Sequence, residues 1–181
     1  MKWLIGLGAL LALLMVGVAA PAGAQGAAEL KVGDKAPEFK LVGTDGKTYS
    51  LKEFAGKSAV VLAWYPKALT RGCTLECKSL RDAKDELAKY KVAYFGASVD
   101  PVDLNKQFIT ENSLNFTLLS DPDKAYAKTV GVLNAERGVA NRWTFIIDDK
   151  GVIRDIIKTV NPPTHGADLV ARLEALGIPK K

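Results

Sequence analysis

Ser58–Tyr65 reads Ser-Ala-Val-Val-Leu-Ala-Trp-Tyr, a near-continuous apolar run that Pro66 ends. A strand wetted on one side alternates apolar and polar residues. A run without alternation belongs to a central strand covered on both faces. The chain must therefore supply layers above and below one sheet, which is the arrangement of an α/β domain. Its 181 residues suit one such domain.

The remaining pattern supplies those layers. Phe39–Val42 and Lys47–Ser50 flank an Asp45-Gly46 turn and read as an N-terminal β-hairpin. Ser50 and Glu53 have capping-box spacing, which predicts a short helical turn. Residues 73–89 read as one helix with Leu80, Ala83 and Leu87 on its apolar stripe. Val92–Ser98 is a strand, and Asp100-Pro101 opens a helix to about Glu111. Phe116–Leu119 is a strand and Lys124–Thr129 a short helix. Trp143–Ile147 and Val152–Lys158 form a late hairpin, and Leu169, Val170, Leu173 and Leu176 mark a final helix. The expected fold is a central mixed sheet flanked by helices on both faces.

The N-terminus reads as a targeting segment. Lys2 precedes an uninterrupted run of apolar residues and glycine from Trp3 to Ala20, and Ala22-x-Ala24 matches a small-residue cleavage site. Residues 1–24 are expected to be a secretory signal peptide cleaved after Ala24, with an uncleaved membrane anchor as the alternative. Residues 25–33 are expected to be a flexible leader and 34–181 the folded domain. The product is then exported, periplasmic or secreted, with no stable membrane insertion after cleavage. Cleavage takes one lysine from a net charge of +5 and leaves about +4. That charge is spread along the chain, so nothing marks a nucleic-acid surface.

Export colours the reading of the two cysteines, Cys73 and Cys77. An oxidising compartment favours disulfides. A bridge across four positions closes too short a loop to staple a fold well, so a reactive pair is the better reading. Cys73 falls where a strand and loop give way to a helix. Unpaired N–H groups and the positive helix end favour a thiolate there, and the thiolate is the reactive form. Thr70 can place a hydroxyl beside the sulfur. Backbone N–H groups at Gly72 and Cys73 can cradle an anionic oxygen.

Pro66-x-x-x-Thr70-x-x-Cys73 resembles the active-site motif of the peroxiredoxins. The Gly33–Leu41 region, Asp45-Gly46, Ser50-Leu51 and Gly56-Lys57 resemble that family's N-terminal region. Gly72-Cys73-Thr74-x-Glu76 is similar to its bacterioferritin-comigratory-protein branch, and Arg142–Asp148 to the strand bearing its active-site arginine. The resemblance spans roughly residues 31–160. It implies a thioredoxin-like fold and a thiol peroxidase without cofactor or metal. Cys73 would be the peroxidatic residue, oxidised to a sulfenic acid. Thr70 would hydrogen-bond the peroxide or thiolate, and Arg142 would stabilise the thiolate and the charge developing on the oxygens. Pro66 would shield the sulfur from water, and Glu76 would hold Arg142. An exported thioredoxin-like or small-thiol reductant and a monomeric state are also implied.

Two residues depart from that branch. Arg71 stands where it usually has proline. Cys77 lies four residues after Cys73, where the branch commonly places its resolving cysteine at five. An intact helix holds such Cβ atoms about 5–6 Å apart, whereas a disulfide needs about 3.5–4.5 Å. Cys77 is thus expected to resolve Cys73 only after local unwinding, the alternative being an external thiol. A rival reading is an exported thioredoxin-like copper chaperone binding Cu(I) through Cys73 and Cys77, with His165 as a distant ligand. Against it, Arg142 stands where those proteins have histidine and Lys78 where they have proline. A disulfide reductase would need Cys-x-x-Cys. His165, in a proline-rich polar stretch, is expected to be an exposed loop residue.

Overall fold

The computed structural model describes residues 29–181. The signal peptide expected over residues 1–24, with its cleavage site, lies outside the described residues. Among those described, no helix is long and apolar enough to cross a membrane.

Chain order runs β1 (Lys40–Gly43), β2 (Thr48–Ser50), a 3-10 turn (Leu51–Phe54), β3 (Ala59–Trp64), α1 (Arg71–Asp82), α2 (Lys84–Leu87) and β4 (Val92–Ser98). It continues with α3 (Val102–Asn112), β5 (Leu118–Ser120), α4 (Ala125–Thr129), β6 (Leu133–Asn134), β7 (Val139–Ala140), β8 (Thr144–Ile147), β9 (Ile153–Ile157) and α5 (His165–Ala175). Seven strands form one mixed sheet in the order β2-β1-β5-β4-β3-β8-β9. β3 pairs parallel with β4 and antiparallel with β8, and all six of its residues are buried.

The period of two along β3 divides the core. Val60, Leu62 and Trp64 face a cluster with Phe39, Phe95, Tyr126 and Phe145. Ala59, Val61 and Ala63 face Leu80 of α1, Leu87 of α2, and Leu169 and Leu173 of α5. Each Val- or Leu-sized side chain buried in this way contributes about 1.5–3 kcal/mol, so β3 anchors both layers. The hairpin expected around Asp45-Gly46 is present, with Gly46 at φ +83°, a region L side chains avoid. The Ser50–Glu53 capping box is formed as well.

Three local expectations are corrected. The single helix over 73–89 begins at Arg71 and breaks at Ala83 between α1 and α2. Tertiary contacts at the break reach it from elsewhere in the chain: the Asn115 amide donates to the Arg81 carbonyl, and Arg81 reaches the Asn112 carbonyl. The short β6–β7 ladder was not foreseen, because two-residue strands carry no readable period. The end of the presumed leader is pinned: Leu30 packs on the core, and Gly33 N–H donates to the Ile153 carbonyl at 2.8 Å.

α5 sits on α1 with almost no space between backbones. A Cβ on Gly166 would lie 2.2 Å from the Ser79 carbonyl oxygen and 2.7 Å from the Ala83 Cβ. Gly166 N–H also donates to Ser79 Oγ at 2.9 Å. Gly166→Ala is expected to lower stability by about 1–3 kcal/mol in urea unfolding, as overpacking does; an unchanged midpoint would show that α5 can shift freely.

Candidate active site

β3 runs out at Trp64, and Pro66 turns the chain away from the sheet. The loop that follows is held by a buried carboxylate. Asp100 Oδ2 accepts from Ala68 N–H at 2.8 Å, and Oδ1 lies 3.4 Å from Lys67 Nζ. Beneath it, Asn105 accepts from the Tyr65 hydroxyl at 2.8 Å and donates to Ser120 Oγ at 2.9 Å. Its amide also donates to Ser98 Oγ at 3.2 Å, and Ser98 Oγ in turn accepts from Asp100 N–H at 3.2 Å. This satisfied polar network ties together the ends of β3, β4 and β5 with α3. Leu69 is held at φ +62°, a conformation costing a non-glycine residue on the order of 1–3 kcal/mol. The surrounding contacts impose it, and the loop delivers Thr70 as the N-cap of α1.

Cys73 is therefore the third residue of α1. The first helical bond runs from Thr74 N–H to the Thr70 carbonyl, at 2.8 Å. The N–H groups of Arg71, Gly72 and Cys73 precede it and lack an i−4 partner. The sulfur is buried, with 1% of the residue exposed. Arg142 Nη2 donates to Cys73 Sγ at 3.4 Å, 69 positions along the chain. Gly72 leaves room for that approach, since a Cβ there would stand 3.2 Å from Nη2. The backbone around Arg142 is fixed by Asn141 N–H on the Val132 carbonyl and by Trp64 N–H on the Trp143 carbonyl, each at 2.8 Å.

Glu76, one turn on and fully buried, accepts from Arg142 Nη1 through Oε2. Half-burial works against the guanidinium charge, but Glu76 and the Cys73 contact outweigh it and hold Arg142 above its already high range. Cys77 lies against Tyr65, Phe108 and Leu118. Burial, then the nearby Glu76 and Cys73, push its thiol well above the ordinary range. Both cysteines are free thiols.

Thus Cys73, Cys77, Glu76, Gly72 and Arg142 are brought together, and Pro66 and Thr70 bound the loop. The Thr70 hydroxyl donates to the Lys67 carbonyl at 2.9 Å, so its single proton is not directed at the sulfur here. Arg71 is exposed on the first turn.

His165 corrects the expectation of an exposed loop residue. It is the first residue of α5 and is 1% exposed. Nε2 lies 3.0 Å from Thr144 Oγ1, and Nδ1 lies 3.1 Å from Glu76 Oε1, within ion-pair distance yet short of hydrogen-bond alignment. The proline-rich approach concealed a helix start that Thr164 and Asp168 mark, since Thr164 Oγ1 donates to Asp168 Oδ2 at 2.7 Å. Asp100 and Asn105 were missed too; a buried network across three strand ends leaves no local signal. Among the described residues, no group of three or more His, Cys, Asp or Glu is arranged to hold a metal ion. The copper-chaperone reading thus finds no support.

Arg142→Leu removes the cation beside the sulfur. It is expected to slow Cys73 oxidation by hydrogen peroxide about a hundredfold or more, as loss of a preorganised donor does. Stopped-flow thiol consumption would measure this, and a wild-type rate would refute it.

Comparison with known proteins covers the part of the chain that carries these residues. The model of the AhpC/TSA family matches residues 32–156, which include every site residue named above except His165. Peroxiredoxin Bcp of Escherichia coli K12 is 37% identical over 142 residues, 75% of this chain and 90% of that protein. The crystal structure of peroxidoxin BcpB from Mycobacterium tuberculosis matches with a TM-score of 0.75 at 31% identity, covering 81% of this chain and 98% of that one. The bacterioferritin comigratory protein of Xanthomonas campestris, solved in work on its alkyl peroxide reduction activity, matches with a TM-score of 0.69 at 25% identity. It covers 76% of this chain and 90% of that one. The expected thioredoxin-like fold is borne out with the family. A buried thiol at a helix start beside an arginine, found in a chain matched over most of its folded part, leads to one assignment: this protein belongs to the AhpC/TSA family and is a peroxiredoxin, a thiol peroxidase.

Proposed function

We propose that the protein reduces hydrogen peroxide and organic hydroperoxides in an exported compartment, with Cys73 as the peroxidatic residue and Cys77 as the resolving one. The observation that carries the reading is Arg142 Nη2 at 3.4 Å from Cys73 Sγ, at the start of α1. The Cys73 thiolate attacks one peroxide oxygen. The O–O bond breaks, the sulfur gains the S–O bond of a sulfenic acid, and the departing oxygen takes a proton to leave as water or alcohol. Arg142 and the free N–H groups of the first turn face the charge that develops on the oxygens. Thr70 serves the same oxygens by rotating its hydroxyl off the Lys67 carbonyl, while Pro66 limits water at the sulfur.

Resolution requires α1 to open. Cys73 and Cys77 stand one helical turn apart, too far for a disulfide in an intact helix. Unwinding the first turns brings the sulfurs together. It also takes Cys77 out of the apolar surroundings that hold it as a thiol. Its thiolate then attacks the Cys73 sulfur and expels the hydroxyl as water, forming an intramolecular disulfide. An exported dithiol restores both thiols by exchange. Export itself rests on Lys2, the apolar run to Ala20 and the Ala22-x-Ala24 site.

Reduced protein given one equivalent of peroxide is expected to lose two hydrogens in intact mass. Cys77→Ser is expected to stop at a sulfenic acid, and Cys73→Ser to stay unreacted. Oxidation no faster than that of a free cysteine would refute the reading. Burial keeps Cys77 a thiol in the intact helix, and once unwinding exposes it an ordinary thiol still ionises only near about pH 8.5, so the rate of disulfide formation should rise close to tenfold per pH unit between about pH 6 and 8. A flat profile would remove Cys77 from the resolving step. N-terminal sequencing of the exported protein is expected to begin at Gln25; retention of Met1 would mean an anchor instead.

A further inference from the structure

His165 is a buried titratable group that the reaction above does not use. Its contacts place a proton on Nδ1. As the partner of a guanidinium, the Glu76 carboxylate only accepts hydrogen bonds. Oε1 lies 3.1 Å from Nδ1, so two bare acceptors would repel there and Nδ1 must carry the ring proton. Nε2 faces the Thr144 hydroxyl, 3.0 Å away, which can donate to a bare nitrogen or accept from a protonated one. Glu76 Oε2 meanwhile holds Arg142, and Arg142 Nη2 holds Cys73 Sγ.

We propose that His165 is a positioning residue for the peroxidatic centre, acting through an unbroken series of side-chain contacts from Thr144 through His165, Glu76 and Arg142 to Cys73. Glu76 is buried from water, so Oε1 has no solvent to turn to. Without the imidazole, the carboxylate keeps its Arg142 bond only with one oxygen stranded, or rotates and takes the guanidinium off the sulfur. The charged groups facing the ring are Glu76 from α1 and, through it, Arg142 from the segment before β8. On the groove side of α5 stand Asp168 and Arg172, and Arg172 is paired with Asp155 of β9.

The role rests on the peroxidase reading, but one of its tests does not. His165 is the single histidine of the chain, so its ring signals need no assignment. In 15N spectra of the unaltered protein, Nδ1 is expected to carry a proton, and the ring resonances are expected to move in Cys73→Ser. A proton on Nε2 instead, or a ring blind to Cys73→Ser, overturns the proposal. In peroxide kinetics, His165→Leu is expected to react about tenfold more slowly, the effect of losing a hydrogen bond to a charged group. His165→Asn, which keeps an N–H donor near the Nδ1 position, should stay within about threefold of wild type. A folded His165→Leu protein at full rate, or equal losses in both variants, overturns the role. If His165→Leu does not fold, the spectra of the unaltered protein decide. If wild type proves inert to peroxide, the peroxidase reading falls, and the ring's response to Cys73 still tests the contact series.

Discussion

A carboxylate shut away from water must be paired on both oxygens or it destabilises whatever encloses it. Glu76 is such a group, and much of the site follows from meeting its demands. One oxygen takes Arg142, which comes from the far side of β3; the other faces His165, which comes from α5. Three segments distant in sequence are thereby drawn to the first turns of α1. The same pairing keeps a guanidinium half-buried beside a thiol, where its field is little screened.

In the reaction proposed above, two needs of the chemistry pull against each other at α1. Attack on peroxide needs an intact helix start, with Gly72 clearing the way for Arg142 and three N–H groups unspent. Disulfide formation needs that start undone. What is separated along the helix is the part that would unwind and the part that stays packed. The first turns rest on side-chain pairs that can part, whereas Ser79 is locked under the backbone of Gly166.

The sheet was legible because β3 carries its signal in eight consecutive residues, and the hairpins because Asp45-Gly46 and Asp148–Gly151 mark turns. Pro66, Thr70, Cys73 and Glu76 stood out through a family resemblance carried by one short stretch, and Arg142 through that of a separate strand. What escaped notice depends on tertiary partners. The break at Ala83 involves Asn115, and the loop before Thr70 leans on Asp100. His165 was misplaced because Pro162 and Pro163 speak for a loop, whereas burial is decided by α1 and β8 closing over the helix start. No local window around His165 contains Glu76 or Thr144.

The contact between Gly166 and Ser79 has a mechanical meaning. α1 is a beam clamped in its last third, at Ser79, and held at the Cys73 end by side-chain contacts alone. Such a beam bends most at the tip and hardly at all at the clamp. Cys77 lies two residues before the clamp, so the compliant length ends close to the thiol proposed to resolve Cys73. Motion needed to join the sulfurs can then be spent in the Cys73 end, while the part of α1 that roofs the sheet through Leu80 keeps its packing.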